Sequence, residues 1–170
     1  MNYILFDDKS WNNLLPLTFT RPVGEIRLGA LTMKEKWEYF LNSPTSYLTQ
    51  EYLQEKYALT QTSDNILINA SVFPGKELVN EIIRLQNGQM LVSEKIIIAY
   101  KSEKANIPKE ITNPVESKVK ITKINFPWDI FTLNGKAIVD DFAILTKNKK
   151  SQEISSRSEE HTSELQSPNT

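Results

Sequence analysis

Apolar positions change their period several times along this chain, and each change marks an element. Tyr3-Ile4-Leu5-Phe6 is an unbroken apolar run closed by Asp7-Asp8. That is the pattern of a strand buried on both faces with a polar loop at its carboxyl end. Ile66-Leu67-Ile68 repeats it, and Met90–Val92 and Ile96–Tyr100 read as two further strands around a turn at Ser93-Glu94. Between these runs the period becomes helical. Thr32-Met33-Lys34-Glu35 is a capping box, followed by Met33, Trp37, Phe40 and Leu41 at helical spacing and a stop at Asn42-Ser43-Pro44. Leu78, Val79, Ile82 and Ile83 form a second amphipathic stretch between Gly75 and Gly88. Ser46–Leu48 reads as a short strand and Glu51–Tyr57 as a short helix. Lys118–Lys123 alternates in the strand manner, and Phe126–Leu145 is helical in part with a break at Asn134-Gly135. Residues 9–28 read as a long loop and Lys101–Lys118 as a mobile surface insertion. Strands alternating with helices predict an α/β fold: three layers, a mixed and mostly parallel sheet, and helices on both faces.

Composition narrows the chemistry. The 170 residues contain no cysteine and one histidine, His161, which removes thiolate sites, a cysteine nucleophile and paired-histidine metal ligation. The five glycines never stand two apart, so a dinucleotide-binding G-x-G-x-x-G loop is excluded. Twenty basic against 21 acidic residues give a net charge of −1, which argues against nucleic acid as a partner. No run approaches the roughly 18 consecutive apolar residues of a membrane helix, and Met1–Asp8 lacks the basic flank of a signal peptide. A soluble cytoplasmic protein with no membrane partner is the expectation.

Four features could carry function. Asp7-Asp8 at a strand end suits Mg²⁺ bound together with substrate phosphates, and a solvated turn is the alternative. Asp140-Asp141 has the same ambiguity, with a helix cap as its alternative. Lys118, Lys120 and Lys123 would form a basic strand face, either for phosphates or simply as a solvated edge. The densest feature is Leu14–Val23, a loop shaped by Pro16 and Pro22, where Arg21 and nearby Arg27 supply forked donors suited to phosphate. It follows a buried strand, where α/β sheets place their ligand crevice. A loop packed down by its leucines, with both arginines in surface ion pairs, fits equally.

At this loop the chain resembles the sugar-1-phosphate nucleotidyltransferases. Leu14–Thr18 matches their Leu-x-Pro-Leu-Thr, Asn65–Ser71 is similar to their strand ending Asn-Gly-Asp, and Pro127-Trp128-Asp129 to Asn134 resembles the helix preceding a β-helical domain in bifunctional members. A divergent bacterial branch, the GlmU-like sugar nucleotidyltransferases, is matched more closely still at Leu15–Val23, Glu35–Trp37 and Asp141–Thr146. The resemblance implies a nucleotide-diphosphosugar-transferase-like domain. It also implies NTP and sugar 1-phosphate as partners, Mg²⁺ as cofactor, and Asn12, Asn13, Arg21 and Arg27 lining a nucleotide loop, with Asp7 and Asp8 as candidate metal ligands. Three family residues are replaced. Asn13 stands for the arginine of Gly-Thr-Arg, Val23 for the lysine of Pro-Lys, and Ser71 for the metal-binding aspartate. Their joint loss should weaken a mechanism that depends on neutralising phosphate charge. The alternative is a catalytically degenerate domain that binds a nucleotide sugar, or scaffolds, beside a β-helical transferase domain.

The far end reads differently. Residues 157–167 spell RSEEHTSELQS, which looks like a short-read library adapter translated in frame. Residues 1–147 are therefore expected to form the nucleotidyltransferase-like domain, 148–156 the start of a linker to a further β-helical domain, and 157–170 a non-native disordered tail. The tail holds one arginine, three glutamates and His161, so the rest of the chain carries a net +1 and no histidine. A homotrimer is expected only through the further domain.

Overall fold

The computed structural model describes residues 1–150 except Lys109 and Asn148. The linker expected at 148–156 lies largely outside the described residues, and the tail at 157–170 wholly so.

The two unbroken apolar runs lie side by side. β1 (Asn2–Phe6) and β5 (Asn65–Asn69) pair in parallel, Tyr3 opposite Ile66 and Leu5 opposite Ile68. β4 (Thr45–Leu48) pairs in parallel on the other side of β1. β7 (Ile96–Ser102) runs antiparallel to β5 and forms a hairpin with β6 (Met90–Ser93). The hairpin turns through Glu94 and Lys95, both at positive φ, the geometry that matches strand twist in a two-residue turn. β8 (Pro114–Glu116) closes the order β4-β1-β5-β7-β6-β8 by pairing in parallel with β6. The sheet is mixed, with three of its five pairings parallel.

One face of this sheet carries the main core. α2 (Met33–Leu41), α3 (Lys76–Ile83) and α4 (Pro127–Thr146) direct Met33, Trp37, Leu78, Ile82 and Ala137 onto Tyr3, Leu5, Ile66 and Ile68. The other face buries Ile4, Phe6 and Leu67 under Leu59, Ala105 and Ile107, which lie in non-helical segments. Among the described residues no helix packs on this face, which corrects the expectation of helices on both. The second apolar face is small enough for ordered coil to cover it.

The capping box forms as expected. Thr32 Oγ1 accepts from the Glu35 backbone N–H at 3.2 Å, and Glu35 Oε2 accepts from that of Thr32 at 2.6 Å. α2 stops at Asn42, whose φ of 50° is left-handed.

Other sequence expectations change. Residues 9–28 are an ordered succession: the one-turn helix α1 (Ser10–Asn13), turns to Thr20, a 3-10 turn at Val23–Glu25 and the short strand β2 (Arg27–Leu28), which pairs with β3 (Leu31–Thr32). The segment expected as an insertion, Lys101–Lys118, begins with the end of β7 and contains β8. Glu51–Leu53 is a single 3-10 turn. Lys118–Lys123 makes no strand; its sole bridge is Val72 with Lys123, while Val119 and Ile121 pack against the core from coil.

α4 runs unbroken through Gly135, because it is held along its length. The Asp129 carboxylate accepts from the N–H groups of Asn125 and Phe126, at 2.7 and 2.8 Å. Asn134 Oδ1 accepts from Gly29, and Asp141 Oδ2 accepts from Ala30 and Leu31, at 2.9 to 3.0 Å. Asn134 and Asp141 are two turns apart and so grip the β2–β3 hairpin from one helix face. Gly29, at φ 82°, is required there: a Cβ would lie 2.4 Å from Asp141 Oδ2. No helix among the described residues is long and apolar enough to cross a membrane.

Candidate functional site

Three parallel strands end at one edge of the sheet, and the antiparallel register of β7 on β5 brings the β6–β7 turn to the same edge. A cleft of about 670 Å³ opens there, within the range of small-molecule sites. Asp7, Asp8 and Lys9 enter it from the end of β1, Leu48 from β4, Asn69 from β5, and Lys95, Ile96 and Ile97 from the turn. Phe6, Asn13, Ile107, Ile111, Lys123 and Asn125 complete the lining.

The two aspartates are adjacent in sequence and opposite in character. Asp7 Oδ1 accepts from the Val23 N–H at 2.9 Å, and Oδ2 from the Thr49 hydroxyl at 2.6 Å, tying the Leu14–Val23 loop and the end of β4 to β1. Burial pushes its carboxyl up to about 6; those hydrogen bonds oppose the rise and the charge of Asp8 adds to it. Burial acts upward on Asp8 too. There the Ser10 hydroxyl, the Lys123 ammonium, Asn69 and the Ser10 N–H together outweigh it and hold the group below the ordinary carboxylate value. The contacts are Ser10 N and Oγ on Oδ1 at 2.9 and 2.5 Å, with Asn69 Nδ2 and Lys123 Nζ on Oδ2 at 3.0 and 3.1 Å.

Asn69 also donates to the Ile97 carbonyl at 3.0 Å, joining β5 to the turn. Its Oδ1 accepts from the Ser71 N–H and hydroxyl, at 3.1 and 2.5 Å. Ser71 is 1% exposed and does not line the cleft.

The structure brings Asp7, Asp8 and Asn13 together at the cleft, whereas Asn12, Arg21 and Arg27 do not line it. Asn12 and Arg21 are exposed. Arg27 donates to the Ala30 carbonyl and lies 3.8 Å from Glu35, so it serves the β2–β3 hairpin. Within the Leu14–Val23 loop, Leu14 is buried and Thr18 donates to the Trp11 carbonyl at 2.6 Å, while Leu15, Leu17 and Phe19 are exposed. Asp140 and Asp141 belong to α4, away from the cleft. Of the three lysines read as one basic face, Lys123 alone reaches it.

Lys9, Lys95 and Asn125 escaped sequence reasoning, and Asn69 entered it only as part of the Asn65–Ser71 strand. Lys95 follows the predicted turn between two strands, which was the available signal. Nothing local connects Lys123 with Asp8, 115 positions earlier in the chain.

The donor set does not suit a protein-held Mg²⁺. Such an ion takes oxygen ligands in near-octahedral array, usually one or two carboxylates among them. Each carboxylate oxygen of Asp7 and Asp8 already accepts a proton donor, and Lys123 sits against Asp8. Among the described residues no three His, Cys, Asp or Glu side chains group together.

With this geometry in place, the family model described as sugar nucleotidyl transferase matches residues 3–150. The chain belongs to the sugar nucleotidyl transferase family. The match spans β1 through α4, and so takes in the cleft and the gripped hairpin. Among solved structures, the chain is similar to a Bacillus anthracis protein assigned as a glucose-1-phosphate thymidylyltransferase, in complex with a sucrose. Identity is 11% and the TM-score 0.49, covering 81% of this chain and 95% of the other. No curated protein matches.

Proposed function

We propose that the chain forms a nucleotide sugar from a nucleoside triphosphate and a sugar 1-phosphate, releasing pyrophosphate. One observation carries this reading within the family: Lys9, Lys95 and Lys123 border one cleft at the strand ends. Three ammonium groups there can neutralise phosphate charge, the principal demand of such a transfer. A sugar-phosphate oxygen attacks the α-phosphorus, the bond from that phosphorus to the bridging oxygen breaks, and pyrophosphate carries the electron pair away. Ile96, Ile97, Ile107 and Ile111 offer an apolar surface for a base or a sugar ring. Asp7 keeps the Leu14–Val23 loop beside the cleft through Val23. Full-length protein with each common NTP and sugar 1-phosphate should release pyrophosphate. A folded protein that releases none with any pair contradicts the reading.

Ser71 and the Asp8–Lys123 pair favour a second reading, in which the cleft holds a nucleotide sugar without turning it over and serves a further domain. Calorimetry separates the two, since tight binding of a UDP- or dTDP-sugar without turnover supports the second. A cytoplasmic site of action and trimerisation through a further C-terminal domain belong to the same proposal.

A further inference from the structure

Lys123 is fixed rather than free. Its backbone bridges Val72 just beyond β5, and its ammonium contacts Asp8 Oδ2 at 3.1 Å and donates to Asn125 Oδ1 at 2.8 Å. An ammonium has three protons, so one remains for the cleft that Lys123 lines. On Asp8 that ammonium occupies the carboxylate edge that a divalent cation would need. Oδ1 accepts two hydrogen bonds from Ser10, and the second contact of Oδ2 is Asn69. Ser71 offers no replacement ligand, because its hydroxyl donates to Asn69 and it is buried away from the cleft.

We propose that Lys123 stands in this cleft in place of a divalent cation, so that phosphate oxygens are bound by ammonium groups, Lys123 with Lys9 and Lys95, and by no protein-held metal. A lysine ammonium is a compact point charge, which suits it to that substitution. Three lysines against two aspartates leave the cleft cationic without a metal. The inference rests on the cleft being a phosphate site, but it concerns what charges the site and not what is turned over.

The test uses the full chain and two probes. Inorganic pyrophosphate titrated by calorimetry should bind in excess EDTA, and Lys123→Ala should weaken that binding at least about tenfold, as expected for loss of a charge-assisted hydrogen bond. Lys123→Arg, which keeps the charge, should retain most of it. Mn²⁺ alone, followed by electron paramagnetic resonance, should find no site in the wild type. Should Lys123→Ala fail to fold, the wild-type titrations with both probes decide the matter. Mn²⁺ binding to the wild type that Asp8→Asn abolishes would overturn the proposal. So would pyrophosphate binding that appears only with Mg²⁺, or none in either condition. If no substrate pair is turned over while these results hold, the transferase reading fails and the lysine site stands. Turnover together with wild-type Mn²⁺ binding at Asp8 gives the reverse.

Discussion

Among the described residues two lysine–aspartate pairs are largely buried on both sides, and their surroundings differ. Lys36 and Asp141 are 5% and 1% exposed, joining α2 to α4. Asp141 also accepts from Ala30 and Leu31, and the cavity that touches the pair is only about 40 Å³. Lys123 and Asp8 are 12% and 23% exposed at the edge of a cleft of about 670 Å³. In the first pair every partner is protein, and the arrangement locks a hairpin against a helix. The second borders a cleft with room for a ligand. Burial and hydrogen bonding alone would rank both as structural. The adjoining space is what separates a lock from a site.

The largest effect is expected at the lock. Asp141→Ala leaves the Lys36 ammonium buried without a partner and orphans two backbone N–H groups, and should lower stability by about 3–5 kcal/mol in urea unfolding. A loss under about 1 kcal/mol would show that the pair is not the lock described. Gly29→Ala tests the same contact from the hairpin side. Its φ of 82° and the approach of a Cβ to Asp141 predict a loss of about 1–3 kcal/mol. Lys123→Met should cost less than either, about 1 kcal/mol, because Asp8 keeps Ser10 and Asn69 and reaches solvent. Its main effect should fall on phosphate affinity. A stability loss as large as that of Asp141→Ala, with affinity unchanged, would merge the two pairs into one class.

The cleft also contains its own contrast in pH. Asp7 has a folded value near 6, above its unfolded one, so the folded state holds the extra proton and stability falls as pH rises from about 4 to 6. Asp8 is shifted the other way, so its contribution is present above the ordinary carboxylate value and is lost as pH drops through its lowered one. Carboxyl-carbon NMR should give Asp7 a midpoint near 6, with Asp8 still ionised well below it. Asp7→Asn should flatten the fall in stability between pH 4 and 6. Coincident midpoints would remove the distinction. The smallest effect belongs to Arg27→Ala, which should take about 0.5 kcal/mol from stability through the hairpin and leave ligand affinity within about twofold.

Much of the fold was legible in the sequence because its signals are local. Tyr3–Phe6 and Ile66–Ile68 declared the sheet's centre by being apolar at every position, and Thr32-Met33-Lys34-Glu35 declared the start of α2. Lys118–Lys123 misled because alternation describes which side chains face the core and not whether a neighbouring strand exists to pair with. Asn134-Gly135 misled because the grip of Asn134 and Asp141 on the hairpin outweighs the weak helix propensity of glycine. At the site, Asp7 and Asp8 were legible because they follow a strand, and Asn13 through the resemblance alone. Lys95 was not, and Lys123 was read only as one of three lysines on a strand face, because the antiparallel return of β7 and the crossing at Val72 bring the two to the cleft from far along the chain. Arg27 looked like a phosphate ligand by chemistry, and its bonds to Ala30 and Glu35 came from tertiary geometry.

On this account the Asp8–Lys123 cleft receives a phosphate-bearing ligand and the Lys36–Asp141 lock does not. Amide NMR of the full chain, titrated in turn with pyrophosphate, a UDP-sugar and a dTDP-sugar, tests it most directly. Shifts confined to Asp7–Lys9, Asn69, Lys95 and Lys123, with Gly29–Leu31 and Asp141 unmoved, are the predicted result. Shifts centred on Arg27–Leu31, or none with any of the three, would contradict it.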